Sequence, residues 1–533
     1  MQLTIKDLKE VKVSNCKMPK YDIEQVHEET IKNPIWLHFG AGNIFRGFIA
    51  RLQQDLLDKK LTDSGIIAAE TFDYEIIDSI YKPHDSLTLL ATLSATKPTS
   101  YEVIASIAEG IKASTSDEES FNELKRIFRS ESLQMVSYTI TEKGYQLKGM
   151  DGSYSKLVLD DIENGPTKAK HAMSILTALL FERFACNAKP IAIVSMDNCS
   201  HNGKKIEEAV LTIANEWLAK RYVTSDFIEY LKDEAKVTFP WSMIDKITPR
   251  PAKAVLDEIT KLGFENMEPI TTSKNTFIAP YVNAEVCEYL VIEDKFPNGR
   301  PPLEKAGVYM TTRDIVNKVE TMKVTTCLNP LHTALAVYGC LLGSKTIALE
   351  MEDKHLSKLV RKIGEEGMKV VVDPGILSPE KFLQEVLEER LPNKSIPDVP
   401  ERIATDTSQK IPVRYGETIK AYLRSNTLDV EELTYIPLAI AGWLRYLLGK
   451  NDNLEEIKLS SDPMLATLQE MLQDVKIGSH VSEDNLEQIL SNVQIFGTDL
   501  TKTPLAKKIT SMFNELITGK GAVRATLEKY LNY

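Results

Sequence analysis

Long hydrophobic runs are missing from this chain. No stretch approaches the ~18 consecutive apolar residues that a membrane span needs. The N-terminal Met1-Gln-Leu-Thr-Ile-Lys-Asp-Leu8 has no apolar core of a secretory leader. A cytoplasmic protein with no membrane partner is therefore expected. Cysteine is scarce: residues 16, 186, 199, 287, 327 and 340 are scattered, without a CxxC pair or a histidine at zinc-like spacing. That argues against a disulfide framework and against a structural metal cage. Positive charge is in deficit, with 64 Lys and Arg against 76 Asp and Glu and a net charge of −12. With no basic block either, nucleic acid is not an expected partner. Internal repeats and low-complexity segments are also missing.

What remains is ordinary globular composition, 43% hydrophobic and 26% charged over 533 residues, enough for two to four domains. The apolar run Ile35-Trp-Leu-His-Phe39 ends in Gly40-Ala41-Gly42-Asn43-Ile44-Phe45-Arg46-Gly47, and a helical pattern follows from Phe48 to Leu57. A strand, a glycine turn and a helix in that order begin a dinucleotide-binding unit. The glycines let the backbone approach a pyrophosphate, which rests on the helix N-terminus. Phe45 stands where the usual fingerprint has its third glycine. A second strand, Gly65 to Ala69, ends in Glu70-Thr-Phe-Asp73. An acidic residue there accepts the adenosine ribose hydroxyls and favours NAD over NADP. The spacing leaves Glu70 and Asp73 both open for that role.

Strand and helix signals then alternate. Met135 to Ile140 runs into the turn Thr141-Glu142-Lys-Gly-Tyr145, and Ile191 to Val194 ends in Ser195-Met-Asp-Asn198 before a helix through Trp217. Such alternation predicts a parallel sheet with helices on both faces, and ligands beyond the carboxyl ends of its strands. Gly40, Thr141 and Asn198 should share that rim. The Pro/Gly-rich stretch 294–302 is the expected boundary, giving 1–298 as a nucleotide-binding α/β domain and 299–533 as a mainly helical one.

The richest chemistry lies in Lys323-Val-Thr-Thr-Cys-Leu-Asn329-Pro-Leu-His332. Ile315, Val316, Val319 and Met322 form the stripe of an amphipathic helix, on which Glu320 and Lys323 share one face. Asn329 should cap the next helix, with Pro330 at its first position. His332 then falls in its first turn. Cys327 reads as a small apolar linker rather than a nucleophile. Further on, Arg402 to Arg414 carries cations and hydroxyls suited to a polyhydroxylated or anionic ligand, with a solvated loop as the plainer reading.

Six motifs taken together resemble a known family. They are Phe39 to Gly47, Thr139 to Tyr145, Ser195 to Asn198, Phe239-Pro-Trp-Ser-Met-Ile-Asp245-Lys-Ile-Thr-Pro249, Lys323…Asn329…His332 and Arg402…Lys410. Their types and order are similar to those of the polyol-specific long-chain dehydrogenases, a resemblance that runs from residue 30 to 530. It implies an α/β N-terminal Rossmann-type domain followed by a mainly α-helical C-terminal domain, NAD(P) as cofactor with NAD preferred, and no catalytic metal. By motif, Gly40 to Arg46, Glu70 or Asp73, Thr141 and Glu142 would contact the cofactor. Lys323 would be the general base, Asn198 and Asn329 the amides on the reacting oxygen, His332 the orienting imidazole, and Glu320 the carboxylate for proton passage. Asp245, Arg402 and Lys410 would contact substrate. There are two departures: Met196 replaces a common cysteine, and five residues, 324–328, separate Lys323 from Asn329 where the family has four.

The expected reaction is therefore hydride exchange between NAD and a small sugar acid. D-fructuronate/D-mannonate comes first, and tagaturonate or a neutral polyol such as mannitol are the alternatives. A non-catalytic NAD- or sugar-binding protein is a more distant reading. Nothing in the sequence selects an oligomeric state.

Overall fold

Strands whose residues are apolar on both faces must be covered on both faces, and parallel sheets satisfy that requirement. In the computed structural model, which describes every residue except Lys12, Met150 and Tyr533, six strands form one sheet, and all but the edge strand 107–112 are buried along their length. They are β1 (Trp36–Phe39), β2 (Ile66–Glu70), β3 (Ile107–Lys112), β4 (Met135–Tyr138), β5 (Ile191–Ser195) and β6 (Val237–Thr238). Their order is β3-β2-β1-β4-β5-β6, all parallel, the strand order of a doubly wound dinucleotide-binding sheet. Alternate residues feed two cores. Leu37, Phe39, Ile67, Val136 and Ile193 join one, and Trp36, Ile66, Met135, Ala192 and Val194 join the other. Each fully buried aliphatic side chain contributes about 1.5–3 kcal/mol, so a one-residue slip in register would cost many of these at once.

Among the polar residues buried in this sheet, one is an imidazole. His38 is fully buried in β1, with Nδ1 2.6 Å from Ser137 Oγ and Nε2 2.8 Å from Thr139 Oγ1. Burial pushes its pKa down to about 3, so the ring is neutral. It stacks flat on Phe45 at 4.1 Å. Phe45 thus fills the place of the third fingerprint glycine with a packing contact to the strand that precedes the turn.

The chain divides into two units, Met1–Leu93 with Pro98–Asn317, and Ser94–Lys97 with Lys318–Tyr533. The first unit carries a second sheet that sequence periodicity did not reveal. Its four strands run in the order Cys16–Lys17, Ser100–Ile104, Thr88–Leu93, Tyr281–Glu285. The Pro/Gly-rich stretch 294–302 is tied within this unit. Arg300 binds Asp294 at 2.8 Å and Glu304 at 2.7 Å, and Tyr309–Thr311 then pairs in parallel with Tyr289–Glu293.

The second unit is mostly helical. Helices Asn329–Leu342 and Tyr435–Leu447 are apolar nearly all round and buried nearly all round, as expected of central helices. They approach closely because Gly442 lies against the Tyr338 ring, where a Cβ would stand 2.6 Å from Cζ. Tyr338 donates its hydroxyl to Leu438 O at 2.8 Å. Among the described residues, no helix is long and apolar enough to cross a membrane.

Candidate functional site

The glycine turn follows β1. Gly40 has φ +104, and a Cβ on it would stand 2.1 Å from Thr139 O, so only glycine fits. A Cβ on Gly42 would meet nothing within 4 Å, so open space lies beside the turn. The first intrahelical bond after it is Arg46 N–H to Gly42 O, 3.1 Å. The N–H groups of Gly42, Asn43 and Ile44 therefore head the helix without intrahelical acceptors, the arrangement that binds a phosphate. These features fit a dinucleotide.

Two residues hold this cradle from behind. Arg46 is fully buried and donates to Ala279 O at 2.8 Å and to Asn43 Oδ1 at 2.9 Å. Its guanidinium braces the turn from inside the protein. Glu70, at the end of β2, accepts from Ala41 N (2.8 Å), Thr71 N (3.0 Å), Phe72 N (2.8 Å) and Asp73 N (3.3 Å). Burial raises its carboxyl above the ordinary value, against the pull of those four N–H groups. Asp73 is also buried and accepts the hydroxyls of Thr272, at 2.6 Å, and Thr276.

On the same rim, Thr141 is exposed at φ +66 and ψ 159, a region that costs roughly 1–3 kcal/mol unless its surroundings impose it. Asp197 imposes it. Its carboxylate accepts from Thr141 N and Ile140 N, both at 2.9 Å, and from the Tyr145 hydroxyl at 2.6 Å. Burial raises the Asp197 carboxyl against these donors. The end of β4 is thereby tied to the end of β5, where Asn198 is exposed. Glu142 pairs with Lys205. Asp245 is buried at the end of strand Ser242–Asp245.

In the second unit, Lys323 is 2% exposed and opens a π-helical turn, Lys323–Cys327, closed by Leu328 N–H to Lys323 O at 3.1 Å. A π turn holds one more residue than an α turn. The extra residue between Lys323 and Asn329 is housed there. Leu328, not Asn329, occupies the cap position, and Asn329 and Pro330 are the first two residues of the helix. The Asn329 amide is thus not spent on capping. It is partly exposed and makes no side-chain hydrogen bond among the described residues. Cys327 is buried, with its thiol pushed up to about 12, so it is no nucleophile. Glu320 is partly exposed in the last turn of helix Arg313–Met322.

His332 is half-buried, and its Nε2 lies 3.1 Å from Asp398 Oδ2. The contact is at ion-pair distance but off the hydrogen-bond line. Asp398 Oδ1 accepts from Arg402 Nε at 3.0 Å and Nη2 at 2.6 Å. Burial lowers the His332 pKa; Asp398 opposes this, Arg414 and Arg402 reinforce it, and the net shift is downward. The imidazole is neutral at neutral pH. Burial alone would raise Asp398, but His332 and Arg402 hold it below its ordinary value. Arg414 donates to Thr333 Oγ1 at 2.5 Å, and Lys410 to Ile403 O at 3.2 Å and to Thr405 O. Burial, reinforced by Arg414, brings Lys410 to about 8, and burial brings Arg414 to about 10.

The second unit therefore carries Lys323, Asn329 and His332 on one segment of chain and Arg402, Lys410 and Arg414 on another, and Asp398 joins His332 to Arg402. Sequence reasoning missed Asp398. Its only local signal was the i,i+4 spacing to Arg402. Among the described residues no group of three or more His, Cys, Asp or Glu is placed to hold a metal.

Residues 34–305 match the family model described as mannitol dehydrogenase Rossmann domain, and residues 315–517 match mannitol dehydrogenase C-terminal domain. The chain is 50% identical over 529 residues to D-mannonate oxidoreductase of Thermotoga maritima, covering 99% of this chain and 98% of that relative. It shares its fold with D-sorbitol dehydrogenase in substrate-free form, at a TM-score of 0.82 and 24% identity over 99% of this chain and 100% of the other. Pseudomonas fluorescens mannitol 2-dehydrogenase, solved as a ternary complex with NAD and D-mannitol, matches with a TM-score of 0.72 and 25% identity over the whole of both chains.

Proposed function

The chain belongs to the mannitol dehydrogenase family, and from that membership we propose that it interconverts D-fructuronate and D-mannonate with NAD. It is an oxidoreductase acting on a CH–OH group. The observation that carries the substrate reading is the near-full-length 50% identity to a D-mannonate oxidoreductase. Three cations of one segment, Arg402 beside Asp398, Lys410 on the Ile403 and Thr405 carbonyls and Arg414 on Thr333, support it, because a carboxylate-bearing substrate would use them.

Bound NAD supplies the hydride acceptor. The protein's part is to move one proton and to hold one oxygen. Lys323 takes the hydroxyl proton as the alcohol becomes a ketone and returns it in the reducing direction. The unspent Asn329 amide donates to the oxygen on which charge develops, and Asn198 carries the same kind of donor. Removing one such donor typically costs about 10²–10³ in rate. Neutral His332, steadied by Asp398, offers a ring nitrogen to a substrate hydroxyl without adding charge. The reaction takes place in the cytoplasm on a small sugar acid.

The test is NADH oxidation with D-fructuronate, D-tagaturonate and D-fructose side by side, with Lys323→Ala as control. Turnover of D-fructuronate above the other two, lost in the variant, supports the reading. Preferential turnover of D-fructose would place the chain with polyol dehydrogenases instead.

A further inference from the structure

Phe72 is the most exposed large hydrophobic side chain among the described residues, at 61%. It is not on a random surface loop. Its N–H donates to Glu70 Oε1 at 2.8 Å, and the other oxygen of that carboxylate accepts Ala41 N–H of the glycine turn at 2.8 Å. One buried carboxylate therefore fixes both the turn and the backbone that presents the Phe72 ring.

A second element, distant in sequence, is fastened to the same loop. Ile270–Thr271 and Phe277–Ile278 form a short antiparallel hairpin. The Thr272 and Thr276 hydroxyls donate to Asp73, and Ser273 N–H donates to Glu75 at 2.9 Å. These anchors hold Lys274 with its Nζ 5.4 Å from the Phe72 ring centroid, within cation–π range. A surface aromatic ring normally gains nothing from such an investment of carboxylates and hydroxyls. It also leaves the two acids that sequence reasoning nominates for the ribose largely occupied: Glu70 by four backbone N–H groups, and Asp73 by two hydroxyls.

The geometry points to Phe72, braced by Lys274, as the platform on which the adenine of the dinucleotide stacks. This rests on the dinucleotide reading of the glycine turn and extends it to the adenosine end. Base–aromatic stacking needs a π face beside the phosphate cradle and tolerates any base. Lys274 on the ring keeps it from collapsing onto the loop. In this arrangement, most of the adenosine affinity comes from the ring rather than from a carboxylate.

The experiment is equilibrium binding to the full chain, read by NADH fluorescence and by competition with 5′-AMP, which carries the adenosine end alone. Phe72→Ala should weaken both NADH and AMP about 5- to 100-fold, the range that base–aromatic stacking supplies. Phe72→Trp should restore binding, and Lys274→Ala should weaken it less than Phe72→Ala. An exposed side chain should leave the melting temperature of Phe72→Ala unchanged. If Phe72→Ala binds NADH and AMP as tightly as the unsubstituted chain, the platform is wrong while the dinucleotide site stands. If the unsubstituted chain binds neither, the dinucleotide reading itself falls.

Discussion

His332 Nε2 and Asp398 Oδ2 lie 3.1 Å apart, joined across a long intervening stretch of helices. Asp398 raises the pKa of His332, while burial, Arg414 and Arg402 lower it by more. Asp398→Asn removes the opposing influence, so the imidazole becomes still harder to protonate, and Arg402 loses its partner. We expect kcat/KM to fall about tenfold, with the acidic limb of the pH–rate profile moved to lower pH. A limb that moves to higher pH would refute the assignment. In a kcat/KM profile that limb reports an ionisation of the free enzyme.

The same shift bears on stability. The folded His332 pKa is below its unfolded value of 6.5, so the unfolded chain binds the proton more readily. Stability is fully present above pH 6.5 and declines as pH falls through the folded pKa. Denaturant midpoints between pH 7 and 5 should show this decline, and His332→Gln should reduce it.

Glu350 behaves in the opposite sense. It is fully buried, and neither carboxyl oxygen has a hydrogen-bond partner among the described residues. Burial, followed by Glu401, Asp398 and Asp353, raises its pKa from 4.5 to about 9. A folded pKa above the unfolded one means stability that is present below pH 4.5 and is lost as pH rises toward 9. Glu350→Gln should therefore raise Tm at pH 8.5 by several degrees and change it little at pH 4.5. Equal effects at both values would show that the carboxyl is ionised in the fold.

Two glycines of the turn should fail differently. Gly40→Ala places a Cβ 2.1 Å from Thr139 O at φ +104, a clash with backbone that we expect to lower stability by about 1–3 kcal/mol. Gly42→Ala meets no protein atom within 4 Å. It should melt as the unsubstituted chain does while binding NADH at least tenfold more weakly, because its methyl enters the space the pyrophosphate needs. Calorimetry and NADH titration separate the two cases.

Asn329→Ala should retain NADH binding and lose about 10²–10³ in kcat. Its amide caps no helix, so Tm should hold. A variant that melts early would return Asn329 to a structural role.

By itself the sequence determined those features whose causes lie within a few residues. Short, nearly continuous apolar runs set β1, β2, β4 and β5, the glycines marked the turn after Phe39, and Asn329-Pro330 marked a helix start. Each depends on backbone preferences that a neighbouring residue cannot hide. The tertiary structure decided the rest. Cys16 pairs with Tyr101 and Leu89 with Tyr281 in the second sheet, and no local pattern specifies partners so far apart. The same holds for Asp398 beside His332, for the use of Glu70 as a clamp on Ala41 N–H, and for Lys274 over Phe72. The extra residue after Lys323 was visible as a count. That it is housed as a π turn, with Lys323 buried and Asn329 set one place past the cap, was decided by packing, because only surrounding side chains can favour an i+5 hydrogen bond over the i+4 bond that the chain alone prefers.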